Sequence, residues 1–203
     1  MTKKHIRRVA LALLLAVTTA AFAQQAEDEE IFVPTNSLGD QTLGINLGPF
    51  IPLFIAGGGE VVPWGNLTLG GVGSLAWGSY ITNEFKLGVE LGGSFSFTPN
   101  RRALFIVPLV VNASYIFQAY PFDFPVSVGL GTSFSRIDEY LKVDPFVKAG
   151  GSFFWNYSTQ WAFGANLNYW FIPQIYTDNS EAGADETRLG NFLELTFSAL
   201  YHF

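Results

Sequence analysis

The sequence predicts an all-β fold, an eight-stranded antiparallel up-and-down transmembrane β-barrel occupying residues 41–203. Three observations carry this. Apolar and polar residues alternate with period two in segment after segment, the pattern of strands that turn each face to a different environment. Charged residues are only 14% of the chain, against 16% aromatics and 21 glycines, whereas a water-soluble domain usually carries about 25% charge. Beyond residue 23 no run of 18 apolar residues occurs, so no transmembrane helix is expected.

The elements follow in chain order. Lys3, Lys4, Arg7 and Arg8 precede the apolar run Val9–Val17, and Ala21-Phe22-Ala23 supplies a small-x-small site. This is the pattern of a cleaved export signal, residues 1–23, with cleavage before Gln24. The alternative, a membrane anchor, is opposed by an apolar run shorter than the roughly 20 residues a spanning helix needs. Residues 24–40 read as an acidic periplasmic leader. Removing the signal takes four of 11 basic residues and none of the 17 acidic ones. The mature chain is therefore acidic and has no basic patch for nucleic acid.

Strands are expected at 41–54, 65–80, 84–97, 103–117, 125–136, 145–157, 161–172 and 191–203. In the first, Leu43, Ile45 and Leu47 oppose Thr42, Gly44 and Asn46; in the second, Leu67, Leu69, Leu75 and Trp77 oppose Thr68, Gly70, Ser74 and Gly78. The third is the clearest, with Phe85, Leu87, Val89, Leu91, Phe95 and Phe97 against Glu84, Lys86, Gly88, Glu90, Ser94 and Ser96. The fourth is apolar on both sides at first, then settles into Ala113, Tyr115 and Phe117 against Asn112 and Ser114. The fifth sets Val126, Val128, Leu130 and Phe134 against Ser127, Gly129, Gly131, Ser133 and Ser135. The sixth and seventh place Val147, Ala149, Phe153, Trp155, Trp161, Phe163, Leu167 and Tyr169 opposite Lys148, Gly150, Ser152, Asn166 and Asn168. The connections near 81–83, 118–124 and 158–160 are short, as periplasmic turns are. Those near 55–64 and 173–190 are longer, as outer loops are, and those near 98–102 and 137–144 are modest.

Alternation alone also fits a soluble sandwich or a lipocalin-like barrel, with the apolar face inside. The polar face decides between them. It is built of Gly, Ser, Thr and Asn with few charges, which suits a narrow lumen rather than water. The opposing Phe, Leu, Trp and Val are expected to point outward, away from the axis. Tyr157 and Trp161 at one turn, and Tyr115, Phe117 and Tyr120 at another, fit interfacial girdles.

The final strand carries Leu193, Leu195, Phe197, Ala199, Tyr201 and the terminal Phe203 on one face, with Glu194, Thr196, Ser198 and His202 between them. Leu195, Phe197, Ala199, Tyr201 and Phe203 resemble the signal read by the outer-membrane barrel assembly machinery. With it, the whole mature chain resembles the small eight-stranded outer-membrane barrels of the OmpX, OmpA-barrel and OmpW type. The resemblance implies a Gram-negative-type (diderm) bacterium, insertion by that machinery into outer-membrane lipids, short periplasmic turns and displayed outer loops. It also associates OmpW-like members with small apolar compounds, OmpX-like members with surface interaction, and OmpA barrels with anchoring.

Lys86, Glu90, Lys148 and Glu194 fall on the inner face. They read either as an ion-pair network that plugs or gates a pore, or as charges that neutralise each other in a filled barrel; burial requires partners under both readings. The inner glycines read either as a solute-sized cavity or as an allowance for strand curvature. Arg101 and Arg102 at an outer turn could grip lipid phosphates but also suit a solvated loop tip. Asp178, Glu181, Asp185 and Glu186 follow no calcium-loop spacing. With no cysteine, and His202 as the one histidine left after cleavage, no catalytic residue, metal site or cofactor is expected. The chain is read as a non-enzyme. Its leading expected role is a narrow pore or uptake channel for small or apolar solutes; the alternative is a non-conducting structural or adhesin-like barrel whose loops meet host surface molecules.

Overall fold

The computed structural model describes residues 36–57, 60–63, 66–100, 102–137, 140–174 and 188–203. The export signal, most of the leader, Arg101 and the acidic stretch 178–186 lie outside them. The described chain is all β: β1 (Gln41–Gly57), β2 (Glu60–Pro63), β3 (Gly70–Tyr80), β4 (Phe85–Phe97), β5 (Ala103–Ala119), β6 (Phe122–Ile137), β7 (Tyr140–Asn156), β8 (Trp161–Gln174) and β9 (Arg188–His202). Each long strand pairs antiparallel with the next, and β1 pairs with β9 to close the barrel. The four-residue β2 folds back on the end of β1, Phe54 facing Pro63 and Gly57 facing Glu60. The barrel wall thus has eight strands, β1 and β3–β9.

Closure is made at the chain's end. The Gln41 and Phe203 backbones exchange N–H···O bonds of 3.1 and 3.0 Å, and the ladder continues from Thr42 facing His202 up to Gly57 facing Arg188. One bulge interrupts it between Pro52 and Phe54. There Asn191 fills the irregularity, its Nδ2 donating to the Leu189 carbonyl at 2.9 Å while the Tyr169 hydroxyl donates to its Oδ1.

Several boundaries differ from expectation, among them the 55–64 connection, where β1 runs on to Gly57 and β2 pairs with it. The second wall strand begins at Gly70, not 65, because Asn66 adopts a left-handed backbone (φ 54°) and turns Leu67 into the core instead of onto the outer face. Strands β6 and β7 run to Ile137 and from Tyr140, so the expected 137–144 connection shrinks to two residues. The alternation continues through this stretch: Leu141 and Val143 face outward, while Asp144 is buried beside Lys142 at 3.3 Å. Likewise Tyr120–Pro121 alone joins β5 to β6.

The apolar face points outward. Leu47, Leu91, Val111, Leu130 and Leu167 are each more than half exposed, while Asn46, Glu90, Val110 and Asn166 beside them on the same strands are buried. Rings collect toward the end that carries the termini: Tyr115–Phe117 (4.9 Å), Trp155–Tyr157 (5.6 Å), Trp161–Tyr201 (5.0 Å) and Tyr201–Phe203 (6.0 Å). An exposed surface of this composition is stable against hydrocarbon, with amphipathic rings at its edge. Leu130→Arg, at mid-wall, is expected to destabilise the barrel in lipid vesicles by about 2–4 kcal/mol. Denaturant titration of refolded protein checks this; a change within experimental error contradicts a lipid-facing Leu130.

Candidate functional site

The lumen is bordered by many of the polar side chains singled out above, and three groups of side chains in it bear on function. Above the Lys86, Tyr80 and Leu200 side chains at the end of the termini, Asn46, Ser74, Asn166, Thr196 and Ser198 form a hydrogen-bonded ring across β1, β3, β8 and β9. Asn46 Nδ2 donates to Ser74 Oγ (2.8 Å), Asn166 Nδ2 to Asn46 Oδ1 (3.2 Å) and Thr196 Oγ1 (3.0 Å), and Ser198 Oγ to Asn46 Oδ1 (2.6 Å). Beside it lies a cavity of about 100 Å³, bordered also by Thr42, Lys86, Ser114 and Ser127. The expected small-residue lumen is found in this part of the barrel.

Above the polar layer sits a charged hub. Lys148 Nζ on β7 reaches Glu90 Oε1 on β4 at 2.7 Å and Glu194 Oε2 on β9 at 2.9 Å. Asn112 Nδ2 donates to the other Glu90 oxygen (3.0 Å), and Trp170 Nε1 donates to Glu194 Oε2 (2.6 Å). The three charged side chains are at most 9% exposed. The hub joins strands that are not neighbours, so it braces the barrel from within, and it carries two carboxylates against one ammonium. Three of the four lumen charges expected to pair therefore do so. Lys86 joins neither glutamate: its Nζ lies 3.5 Å from Thr42 Oγ1 and 5.5 Å from the Tyr80 ring centre. It shares a face with Glu90, but four residues along one strand is about 13 Å.

The third layer corrects the expectation that every bulky side chain points outward. Phe50, Phe146, Trp170 and Phe192 are inside and at most 4% exposed, with Ile106, Val110, Ile172 and Leu67 around them. Phe50 lies 5.1 Å from Trp170 and 5.0 Å from Phe192, and Phe146 lies 5.1 Å from Trp170. Trp170 belongs to both layers: its ring packs in this apolar plug, its N–H binds Glu194, and Lys148 Nζ stands 5.7 Å from its centre. Sequence reasoning missed the plug, although the signal was there. Inner positions change from Asn112 to Val110 on β5 and from Asn168 to Trp170 on β8.

The C-terminal residues Leu195, Phe197, Tyr201 and Phe203 sit on the lipid-facing side of the closing strand, with Phe197 74% exposed. Arg102 lies in the β4–β5 connection and is exposed. Among the described residues no group of histidine and carboxylate side chains is placed to hold a metal.

Replacing Lys148 by Met leaves two buried carboxylates without their cation, and a loss of about 3–5 kcal/mol is expected. The triple variant Glu90→Gln, Lys148→Met, Glu194→Gln should recover most of it. Unfolding titrations of both in micelles check this; equal losses would mean the charges act independently.

A protein-family model matches residues 23–201. An uncharacterized protein of Borreliella burgdorferi is 28% identical, the match covering 84% of this chain and 87% of that one. One of Treponema pallidum is 27% identical over 81% of this chain and 78% of its own length. Among solved structures, Neisserial surface protein A superposes with a TM-score of 0.58 at 11% identity, over 81% of this chain and 97% of its own. The outer-membrane protein OprG of Pseudomonas aeruginosa gives 0.51 at 10% identity, over 84% and 99%. The outer-membrane protein AlkL, determined in lipid bilayers, gives 0.50 at 12% identity, over 88% and 97%. The chain belongs to the family whose model spans residues 23–201, and its fold is that of the small eight-stranded outer-membrane barrels.

Proposed function

We propose that this chain is an integral outer-membrane protein of a diderm bacterium, a non-conducting barrel that serves as a structural or surface-interaction platform. The observation that carries the reading is the apolar plug. Phe50, Phe146, Trp170 and Phe192 pack against one another inside the lumen above the Lys148 hub, and buried rings in a barrel this narrow obstruct a passage for ions. The uptake reading rests on small inner residues, and those that border a lumenal space, Thr42, Gly44, Asn46, Gly88 and Asn166 among them, line a cavity of about 100 Å³ that reaches Glu90 and Lys148 of the hub. Ring contacts and ion pairs that cross the lumen from several strands favour a scaffold over a passage.

Export by cleavage after Ala23 belongs to the same proposal, supported by the basic and apolar segments of the N-terminus and by a family match that begins at residue 23. Insertion by the barrel assembly machinery through the final strand is supported by its outward row of Leu195, Phe197, Tyr201 and Phe203. The segments joining the wall strands at the end opposite the termini are then displayed at the cell surface. The fold neighbour named as a Neisserial surface protein is consistent with that display.

Purified protein in planar bilayers tests the central point. The wild type is expected to give no unit conductance, and Phe50→Ala combined with Phe192→Ala to introduce steps by hollowing the plug. Steady wild-type conductance, or flux of small solutes into loaded liposomes, contradicts a non-conducting barrel.

A further inference from the structure

Near the end that carries the termini, the wall between β6 and β7 is incompletely zipped. Asp123 faces Phe154 and Val126 faces Gly151 in one continuous register, yet Phe124–Pro125 and Ser152–Phe153 between them form no ladder pairs. Alternate residues of an antiparallel strand bond to the same neighbour. Asn156 N–H donates to the Pro121 carbonyl at 2.9 Å, which puts Pro125, four residues on, at a position bonding toward β7. Proline has no N–H to give, so the Ser152 carbonyl opposite lacks its ladder donor.

On the outer surface of this stretch the side chains shrink. Gly151 and Ala165 sit among Phe124, Phe153, Leu167 and Leu195, and together they border a groove of about 360 Å³. Its floor, Pro125, Ser152 and Asn166, is also wall of the lumenal cavity. The barrel is thin here, and its outside is hollowed.

We propose that this groove is a binding site for one acyl chain of a membrane lipid from the leaflet on the side of the termini. The proposal rests on the membrane reading above. The groove is continuous with the Leu-, Val- and Phe-bearing belt, so hydrocarbon chains are the medium that reaches it. Apolar walls facing a void forfeit their dispersion contacts, and a flexible chain restores them where Gly151 and Ala165 supply no side chain. A chain lying there also covers the unzipped stretch, separating the polar lumen side of Ser152 from the bilayer.

The site can be filled without disturbing the wall. A Cβ at Gly151 would meet only the Pro125 carbonyl oxygen, at 3.7 Å. On the opposite side, Gly93 flanks a similar proline gap at Pro108, and a Cβ there meets nothing within 4 Å; Gly93→Leu is the matched control. The protein is refolded in micelles containing palmitoyl-oleoyl phosphatidylethanolamine, washed with detergent and weighed by native mass spectrometry. The wild type and Gly93→Leu should retain one lipid. Gly151→Leu and, separately, Ala165→Leu should lower its occupancy at least about tenfold, the loss expected when several methylenes are displaced. Equal occupancy in Gly151→Leu and wild type, or a folded wild type that keeps no lipid, overturns this site alone. A chain that folds without detergent or lipid overturns the membrane reading and this site together.

Discussion

A strand edge exposed to hydrocarbon leaves N–H and C=O groups without partners, each at a cost of several kcal/mol. That constraint makes the β1–β9 ladder the contact on which the rest of the molecule depends. Because the first and last strands meet from Gln41–Phe203 to Gly57–Arg188, no long edge remains in the described wall and the outward Leu, Val and Phe rows continue around it. The final strand is therefore also the closing strand: the residues that resemble an assembly signal complete the barrel as they pair. Pro125 matters for the same reason. One missing donor in such a wall is a local weakness, and the wall is hollowed on its outer side at that place.

Closure creates an interior too narrow to leave empty, and the chain fills it in layers of different chemistry. Amide and hydroxyl groups satisfy one another below the hub, Lys148 offsets one of two glutamate charges in the middle, and a cluster of aromatic rings lies beyond it. The order is physically coherent. Trp170 presents its ring to the apolar layer and its N–H to Glu194, so the boundary between layers leaves no buried donor unpaired at that residue. Two carboxylates and one ammonium hold together because Asn112, Trp170 and Thr196 supply further hydrogen bonds to the glutamate oxygens.

The architecture was legible in the sequence because period two is a local signal: each pair such as Leu130 and Gly131 declares a face without knowledge of the partner strand. Lumen content was less legible. Phe50, Phe146, Trp170 and Phe192 look like lipid-facing residues until their parity is counted, since they fall on even positions that elsewhere on their strands hold Asn46, Lys148, Asn168 and Glu194. The connection expected near 137–144 is mostly strand, since the inward pair of Lys142 and Asp144 lets the alternation continue. Leu67 left its expected face through a single left-handed residue, which no alternation pattern encodes. The hub joins β4, β7 and β9 across the barrel, and that pairing depends on strand stagger. Nor did the sequence separate Lys86 from the other three charges, since all four share the inner parity and only the folded barrel sets Lys86 beside Thr42 and Tyr80.

The claim beneath all of this is that hydrocarbon touches one side of each strand and the packed lumen the other. The chain has no cysteine, so a nitroxide can be placed at a single introduced position. Val128 is 52% exposed on the outer face, while Ser127 borders the lumenal cavity. In vesicles, a label at Val128→Cys should collide frequently with dissolved oxygen and rarely with a water-soluble nickel chelate, and a label at Ser127→Cys should show low oxygen contact. Nickel-accessible Val128 with an oxygen-rich Ser127 would mean the faces are reversed, and the account would be wrong.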